Sequence, residues 1–247
     1  MQSNKIDVDY VFFERTKINN KSNASEEISI NQRNHFEARS QSELDVFQWF
    51  LKYSIDSSCK KENVDYGWFS TEKCLKKINA ISPDLILVYG TSIIKGDIIN
   101  LFKNRIINLH LGLSPYYRGA GTNYFPFVNS EPEYCGATFM YLDKGIDTGE
   151  IIHQLRPNIY ENDSFHQFSN RFLVEVFNTY VKLIENFQNL KPKKQLIFKQ
   201  DNFFIKRYYK KNDFTDLSLE KLNNNFKKNM IKKYLMDKVE RDKSVEI

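Results

Sequence analysis

The sequence predicts an α/β fold built on a mostly parallel, twisted sheet that is flanked by helices. The prediction rests on two nearly continuous apolar strands, Asp84–Tyr89 and Arg105–His110, with a short helix expected between them near Gly96–Phe102. Such strands suit a parallel sheet that is covered on both sides, because neither face then meets water. With 247 residues, the chain has room for one domain of this kind and a small appendage.

Three further elements are predicted ahead of these strands. Asp9–Phe13 is β-branched and aromatic, which indicates a buried strand, and residues 16–34 after it are interpreted as a mobile insertion. Apolar side chains at helical spacing predict an amphipathic helix over Ser42–Ile55 and a second helix at about Ser70–Ala80. The second helix has to end before Pro83, whose ring cannot continue it.

Two more strands and a long helix are predicted after residue 135. The strands are Gly136–Leu142 and Glu150–Leu155, and the stretch between them contains two glycines and two aspartates, which is typical of a loop. Asp163 is the expected N-cap of a helix whose apolar face runs from Phe165 to Phe187. We expect this helix to pack on the sheet.

The chain changes character after residue 191. We expect residues 1–191 to form the main domain and residues 192–247 to form a small α+β lobe. In this lobe Gln195–Phe198 and Phe203–Tyr209 would pair as a hairpin, and Leu217–Lys238 would be a helix rich in lysine and asparagine. The basic tail could bind RNA, but the acidic residues among its lysines favour a solvated helix face or a dimer contact.

Charge and cysteine content narrow the class of partners. Lys and Arg exceed Asp and Glu by 36 to 31, and the net charge of +5 favours anionic small molecules over nucleic acid. Cys59, Cys74 and Cys135 lack metal-ligand spacing, so we expect neither a disulfide framework nor a metal. No apolar run has the length of a signal peptide or a membrane span, and we therefore expect a cytoplasmic protein without a membrane partner.

Three polar residues at predicted strand ends and in loops can share one site. Asn108 and His110 close a predicted strand, and because they are two residues apart they project to one face. Asp147 lies in a loop that follows another strand, and the ligand crevice of an open α/β sheet lies outside the carboxyl ends of its strands. Taken singly, a strand histidine, a loop asparagine and a turn aspartate are most often structural. Together they supply an amide for an oxyanion, an imidazole that donates a proton and a carboxylate that accepts one, as acyl transfer to an amine requires.

The Asn108-x-His110 motif, with the turn Ser114–Gly119 and the triplet Asp147–Gly149 that follow it, resembles the pattern of folate-dependent formyltransferases. The resemblance covers residues 84–155 well and residues 36–83 loosely. It implies a Rossmann-like fold, transfer of a formyl group from 10-formyltetrahydrofolate to a primary amine, and catalysis by Asn108, His110 and Asp147. It also implies that two segments hold a pterin, through Leu87, Val88, Tyr89, Gly90, Ile93, Ile94, Tyr141, Asp143, Gly145 and Ile146.

The loop after the Asn-x-His motif is the expected acceptor site. Arg118 and the aromatic residues around it could stack against a base or sugar and meet a phosphate, although its glycines could equally form a tight turn. The expected acceptor-binding residues are Ser114, Tyr117, Arg118, Gly119, Thr122 and Asn123, and the aromatic residues of the same loop are Tyr116, Tyr124 and Phe125.

Three amines are alternatives for the formyl acceptor: methionyl-tRNA, glycinamide ribonucleotide and a nucleotide-linked amino sugar. Relatives that act on methionyl-tRNA carry a larger C-terminal barrel than this lobe can supply, and relatives that act on glycinamide ribonucleotide need an early phosphate loop. An amino sugar attached to a nucleotide is therefore favoured. The absence of a GxGxxG or Walker-type loop argues against a dinucleotide or nucleoside-triphosphate enzyme. The family usually has a strand and a glycine-containing loop ahead of Asp9–Phe13, and we expect this first unit to be missing here. The alternative to an enzyme is thus a non-catalytic scaffold protein that keeps the formyltransferase core. For the oligomeric state, a homodimer is one alternative.

Overall fold

The computed structural model describes residues 6–16, 28–53, 59–195, 207–245 and 247. These residues form a mixed α/β fold, which confirms the predicted class. The strands are β1 (Tyr10–Glu14), β2 (Lys60–Val64), β3 (Ile86–Tyr89), β4 (Ile106–His110), β5 (Arg118–Gly119), β6 (Ala137–Tyr141), β7 (Ile151–Leu155) and β8 (Tyr208–Tyr209). The helices are α1 (Ile30–Tyr53), α2 (Glu72–Ile81), α3 (Asp97–Leu101), α4 (Phe125–Val128), α5 (Phe165–Glu185), α6 (Asp216–Lys227), α7 (Met230–Met236) and α8 (Lys238–Lys243).

Four strands form the main sheet, in the order β3-β4-β6-β7. β3 and β4 are parallel, whereas β6 is antiparallel to both β4 and β7. The strands β6 and β7 are joined by the short loop 142–150, and only antiparallel neighbours can be connected so closely. Two smaller pairs, β1 with β2 and β5 with β8, are parallel. Three of the five strand pairings in the described ranges are therefore parallel, and the main sheet itself is mixed.

Side-chain alternation gives the main sheet two different faces. Ile107 and Leu109 of β4 pack against Phe172 of α5, in a cluster that the α5 side chains complete. Asn108 and His110 alternate with these residues, so they face away from α5. Near β3 this second face is covered by apolar side chains of α2 and α3. The candidate site therefore lies on the face opposite the long helix.

The N-terminal helix corrects two predictions. α1 begins at Ile30, inside the stretch that was expected to be an insertion, and residues 17–27 of that stretch lie outside the described residues. The expected apolar face is only partly the packing face, because Leu44 and Phe50 are exposed whereas Val46 and Phe47 are half-buried. Ser42 is buried and accepts a 2.9 Å hydrogen bond from Nδ2 of Asn170 in α5. A polar contact between helices thus fixes this face, which apolar periodicity cannot indicate.

Strand β2 was not predicted. Its sequence, KKENV, is charged and shows no apolar alternation, but parallel pairing with β1 supplies its backbone hydrogen bonds. Together β1, α1 and β2 form a parallel strand–helix–strand unit ahead of the main sheet.

The start of α5 also differs from prediction. Its N-cap is Ser164, whose Oγ accepts from the Gln167 amide at 3.3 Å while the Gln167 side chain accepts from the Ser164 amide at 3.1 Å. Asp163 instead binds Arg171 through a 2.6 Å ion pair. Ser164 is the N-cap residue because this reciprocal capping box satisfies two backbone N–H donors at the helix N-terminus at once.

The C-terminal segment is reorganised relative to prediction. Most of the expected hairpin lies outside the described residues, and Tyr208–Tyr209 pairs in parallel with Arg118–Gly119. The single helix expected over Leu217–Lys238 is divided: α6 and α7 are separated at Asn229, which adopts a left-handed φ of 57°, and α8 begins at Lys238. The division of the chain at residue 192 stays a prediction. Buried side chains of α6 and α7 share one hydrophobic cluster with Leu113 and with residues of α4 and α5.

No helix in the described ranges is long and apolar enough to cross a bilayer.

Candidate active site

His110, the last residue of β4, lies in a buried contact with Asp147. Its Nδ1 is 3.4 Å from Oδ1 of Asp147, and the two side chains are only 6% and 12% exposed. Its Nε2 is 2.9 Å from the carbonyl oxygen of Tyr117. The contact between imidazole and carboxylate that the sequence predicted is present, and its catalytic role stays a prediction.

The partners of the ring define where its protons are. The Tyr117 carbonyl can only accept, so Nε2 of His110 carries a hydrogen and donates it. Nδ1 is then the ring atom that can exchange a proton, and it faces the Asp147 carboxylate. The pair can therefore hold one proton between a nitrogen and an oxygen, which is the requirement for a proton relay.

Asp147 reaches His110 by a route that the sequence reasoning did not anticipate. We expected the two residues to meet at the carboxyl ends of two strands, but β6 is antiparallel to β4. The carboxyl end of β6 therefore lies beside Ile107, at the other end of β4 from His110. The loop 142–150 has to fold back along the sheet to bring Asp147 to the His110 ring. Asp147 has a left-handed φ of 53°, and its Oδ2 accepts a 2.9 Å hydrogen bond from the Gly119 amide.

Gln195 holds this loop in place, a role that no sequence pattern indicates. Its Nε2 donates to the carbonyl oxygens of Asp147 at 3.0 Å and Gly149 at 2.8 Å. Its Oε1 accepts from Nη2 of Arg118 at 3.1 Å. One amide thus joins two loops that are far apart in sequence, a contact that only the tertiary structure creates.

A second set of supporting residues fixes the turn that follows His110. Thr138 lies opposite His110 on β6, and its hydroxyl donates to the Gly112 carbonyl at 2.7 Å and accepts from the Ser114 amide at 2.9 Å. Gln154 of β7 donates to the Ser114 carbonyl at 2.7 Å. Gly112 is required for another reason, since a Cβ there would lie 2.3 Å from Nε2 of His110. Sequence reasoning missed these positions because their partners lie on other strands.

Asn108 has a different environment from the histidine. It is half-buried on β4, between Val88 of β3 and Met140 of β6. Its side chain forms no hydrogen bond with the described part of the chain. The amide is therefore available to a ligand, on the same face of the sheet as His110.

The predicted pterin-binding residues divide between the two faces of the sheet. Leu87, Tyr89 and Tyr141 point to the α5 side, since they alternate with Val88 and Met140, and Tyr89 packs edge-on against Phe177 of α5. The side chains of these three residues therefore lie on the face opposite Asn108 and His110, and the pterin-binding role of the segment stays a prediction. Val88 and Ile94 are buried in the cluster with α2 and α3, whereas Gly90 and Ile93 are exposed.

The segment after β3 is tied down by Glu14, the last residue of β1. Glu14 Oε1 accepts from the Gly67 amide at 2.7 Å and the Ser92 hydroxyl at 2.6 Å, and its Oε2 accepts from the Ser92 amide at 2.6 Å. One carboxylate therefore joins the carboxyl ends of β1, β2 and β3. In the other predicted segment, Asp143 accepts from the Gly145 amide at 3.0 Å and from the Thr148 hydroxyl, while Ile146 is half-buried.

Several predicted acceptor-binding residues are part of the core. Tyr117 and Ser114 are fully buried, and Thr122 is buried with its hydroxyl donating to the Leu111 carbonyl. The aromatic residues Tyr116, Tyr124 and Phe125 are buried as well, so they cannot stack against a base as expected. Packing against α5, α6 and α7 removes these rings from water, which is the larger gain for an aromatic side chain.

Three other residues of this loop keep polar groups near the site. Arg118 is half-buried, and burial lowers the pKa of its guanidinium while Asp147 and Asp143 raise it. Its Nε has no partner in the described structure. Gly119 donates to Asp147, and Asn123 accepts a weak bond from the Cys135 thiol at 3.4 Å. Among the predicted acceptor residues, the half-buried Arg118 and the fully buried Ser114 thus retain donors without a partner in the described structure.

The structure also has a cavity away from these residues. A cavity of about 690 Å³ lies beside α1, lined by residues that include Arg33, Phe36 and Leu44. Asn108, His110 and Asp147 do not line it. The described residues contain no group of three or more His, Cys, Asp or Glu side chains that could hold a metal ion.

Comparison with known proteins defines the family. Residues 52–184, more than half of the chain, match the family described as formyl transferase. The chain belongs to the formyl transferase family. Among curated proteins, this formyl transferase is 33% identical over 115 residues to the methionyl-tRNA formyltransferase of Clostridioides difficile (strain 630), covering 45% of this chain and 37% of that protein. The methionyl-tRNA formyltransferase of Caldicellulosiruptor saccharolyticus is 34% identical over 123 residues, which are 49% of this chain and 38% of that protein. The match thus spans about two fifths of the length of these relatives.

Solved structures share the formyl transferase fold. The formyltransferase PseJ from Anoxybacillus kamchatkensis has a TM-score of 0.51 at 22% identity, with 86% of this chain and 97% of that chain covered. A 4-N formyltransferase from Francisella tularensis has a TM-score of 0.51 at 18% identity, with 83% and 78% covered. The phosphoribosylglycinamide formyltransferase from Streptococcus pneumoniae has a TM-score of 0.50 at 17% identity, with 74% and 99% covered. These likenesses establish the fold.

Proposed function

We propose that this formyl transferase moves a formyl group from 10-formyltetrahydrofolate to a primary amine, the amino group of a nucleotide-linked sugar. The observation that carries the proposal is the 3.4 Å contact between Nδ1 of His110 and Oδ1 of Asp147, on the face of the sheet to which Asn108 also points. An amide, an imidazole and a carboxylate are the groups that direct acyl transfer to an amine uses.

Each of the three side chains has a defined part in this reaction. The amine forms a bond to the formyl carbon and loses a proton, while the bond from that carbon to the carrier nitrogen breaks and this nitrogen gains a proton. Asn108, whose amide is unused, donates to the formyl oxygen as negative charge develops there. Asp147 accepts the proton of the amine and shares it with Nδ1 of His110, and this pair then returns the proton to the carrier nitrogen as it leaves. The Tyr117 carbonyl keeps the ring in the required tautomer.

The residues near β3 fit a folate. β3 is an edge strand of the main sheet, so one row of its backbone N–H and C=O groups is not used within that sheet. Backbone donors and acceptors in a row can bind the amide edge of a pterin. The Glu14 contacts hold the adjoining segment, Gly90–Ile94, at the end of this strand. When it is bound, this folate supplies the formyl group that is transferred.

The choice of a nucleotide-linked sugar is supported by the extent of one structural match. The match with PseJ covers 86% of this chain, more than the 74% covered by the match with the phosphoribosylglycinamide formyltransferase, and the PseJ crystal structure contains UDP-4,6-dideoxy-4-formamido-L-AltNAc and tetrahydrofolate. Arg118, with an unpaired Nε, is the residue that we assign to a phosphate of the acceptor.

Methionyl-tRNA is the second candidate acceptor. It is favoured by the relatives from Clostridioides difficile and Caldicellulosiruptor saccharolyticus, which are both methionyl-tRNA formyltransferases. Those matches are confined to about half of this chain, so they support the shared reaction more directly than the acceptor.

The test is turnover with a panel of amines. Purified protein is incubated with 10-formyltetrahydrofolate and, separately, with amino-sugar nucleotides, glycinamide ribonucleotide and methionyl-tRNA, and tetrahydrofolate release is followed together with the mass of the product. We expect formylation of an amino-sugar nucleotide. No turnover with any of these amines would favour a non-catalytic scaffold instead.

A matched pair of histidine variants controls this test. His110→Ala should abolish turnover, whereas His153→Ala, which removes an exposed histidine on β7, should leave it unchanged. Equal rates for the two variants would reject the proposed role of His110.

A further inference from the structure

The turn Tyr117–Gly119 contacts both members of the candidate catalytic pair. The Tyr117 carbonyl accepts from Nε2 of His110, and the Gly119 amide donates to Oδ2 of Asp147, each at 2.9 Å. A shift of this turn would therefore change the position of the imidazole relative to the carboxylate.

The turn is itself held by the C-terminal segment. Arg118 donates its backbone N–H to the Arg207 carbonyl at 3.1 Å, and the Ala120 amide donates to the Tyr209 carbonyl at 2.9 Å. These bonds belong to the short parallel pair of β5 and β8. The backbone of residues 207–209 thus braces the turn from the side opposite the catalytic pair.

Side chains strengthen the same connection. The Tyr117 hydroxyl donates to Oε2 of Glu131 at 2.5 Å, and it accepts from Nδ2 of Asn129 at 3.0 Å. Nη2 of Arg207 binds the other oxygen of Glu131, and its guanidinium lies 5.3 Å from the centre of the Tyr117 ring. Burial and the Glu131 contact raise the pKa of Tyr117, so its hydroxyl keeps its proton and stays a donor. Charge-assisted hydrogen bonds out of water hold their partners firmly.

We propose that Glu131 and Arg207 are positioning residues that act on His110 through Tyr117. Glu131 fixes the phenol, Arg207 fixes Glu131 and the ring, and the Tyr117 carbonyl in turn fixes Nε2 of His110. The C-terminal segment therefore sets the orientation of the imidazole, although neither Glu131 nor Arg207 touches the reacting atoms. The effect on turnover rests on the proposed function, whereas the effect on His110 does not.

The chain offers a matched control. Nη2 of Arg241 binds Oε2 of Glu133 at 2.6 Å, so a second arginine–glutamate pair joins the C-terminal segment to the same region. In the described structure neither Arg241 nor Glu133 is hydrogen-bonded to Tyr117, and the Glu133 charge acts on Glu131 only through space. Breaking this pair should cost stability in a similar way without moving His110.

The experiment compares Glu131→Gln and Tyr117→Phe with Glu133→Gln. The nitrogen resonances of His110 are recorded by NMR on protein with ¹⁵N-labelled histidine, assigned by loss of the signal in His110→Ala, and kcat and KM are measured on the full chain. We expect Glu131→Gln and Tyr117→Phe to shift the Nε2 resonance and to lower kcat roughly three- to tenfold, with KM for the folate changed by less than about twofold. Glu133→Gln should change neither the resonance nor kcat.

Two results would overturn the proposal. One is an unchanged Nε2 resonance in both Glu131→Gln and Tyr117→Phe, and the other is an equal shift in Glu133→Gln. If Glu131→Gln does not fold, Tyr117→Phe decides, because it retains the buried ring. If no amine is formylated but the resonance shifts as expected, the proposed function fails while the positioning role stands.

Discussion

The Gly119 amide donates a 2.9 Å hydrogen bond to Oδ2 of Asp147, while Oδ1 of the same carboxylate lies 3.4 Å from Nδ1 of His110. One carboxylate therefore links the turn after β4 to the imidazole at the end of β4. Gly119 can make this contact because it adopts a φ of 91° next to the Tyr209 carbonyl. Space and backbone conformation at Gly119 thus determine where the Asp147 carboxylate lies.

Replacing Gly119 by alanine should displace this carboxylate. An added Cβ would lie 2.1 Å from the Tyr209 carbonyl oxygen, a backbone atom that cannot move aside without separating β5 from β8. We expect Gly119→Ala to reduce the free energy of unfolding by about 1–3 kcal/mol through backbone strain. Turnover should decrease more than about tenfold, because the Asp147 contact is lost as well. Urea unfolding and steady-state rates measure the two effects.

Gly96 is the control for this substitution. It has a similar φ of 90°, but an added Cβ would meet no atom within 4 Å. Gly96→Ala should therefore lower the free energy of unfolding through backbone strain and leave turnover unchanged. A comparable decrease of turnover in both variants would contradict the role given to the Gly119 contact.

The Asp147→Asn variant should separate proton transfer from folate binding. Asparagine tolerates the left-handed backbone of this residue, and its carbonyl oxygen can still accept from Gly119. It cannot accept a proton, so we expect turnover to decrease more than about tenfold while the affinity for a folate analogue changes less than about twofold. Calorimetry and steady-state kinetics give the two quantities. An unchanged rate would reject the proton-transfer role of Asp147.

The Glu14→Gln variant should loosen the predicted folate segment. Glu14 accepts from two backbone amides and one hydroxyl, and a glutamine has only one oxygen to offer them. One half-buried donor would then lack a protein partner, at a cost of up to about 1–3 kcal/mol. We expect faster amide exchange at residues 90–94 and weaker binding of a folate analogue, measured by hydrogen exchange and calorimetry.

Glu62→Gln is the matched control for Glu14. Glu62 lies on the neighbouring strand β2, is half-buried and forms a 2.9 Å ion pair with Lys77 of α2. It does not contact Ser92, so its replacement should leave exchange at residues 90–94 unaltered. Identical amide exchange at residues 90–94 in Glu14→Gln and the wild type would show that the Glu14 contacts do not order this segment.

The contact between α1 and α5 should make stability depend on pH. The ring of His35 lies 4.5 Å from that of His166, and burial, aided by His166 and Arg39, lowers the pKa of His35 from 6.5 to about 4. The unfolded chain therefore binds more protons than the folded one between about pH 6.5 and about pH 4, and stability decreases as the pH falls through this window.

Urea unfolding at pH 7 and pH 5 tests this dependence. The variant His35→Phe keeps a ring in the aromatic cluster formed with Phe165 and Phe214 but cannot be protonated. Its free energy of unfolding should decrease less than that of the wild type between the two pH values. The same decrease in both proteins would mean that His35 does not carry the effect.

Local sequence patterns predicted the central part of the fold. The strands β3, β4, β6 and β7 and the helix α5 were expected close to their observed bounds, because apolar runs and helical spacing express what each element buries. The charged strand β2 and the polar contact of Ser42 carry no such pattern. They form because β1 and α5 are present as partners.

By itself, the sequence determined that Asn108 and His110 project from one strand to one face, since side chains alternate with a period of two, and it indicated Asp147 as their partner. Only the tertiary structure decided how Asp147 reaches the ring, and which residues, Gln195, Thr138 and Tyr117 among them, hold the pair in place. The reason is physical: alternation is a property of one strand, whereas these hydrogen bonds join residues that come together only when loops fold back across the sheet.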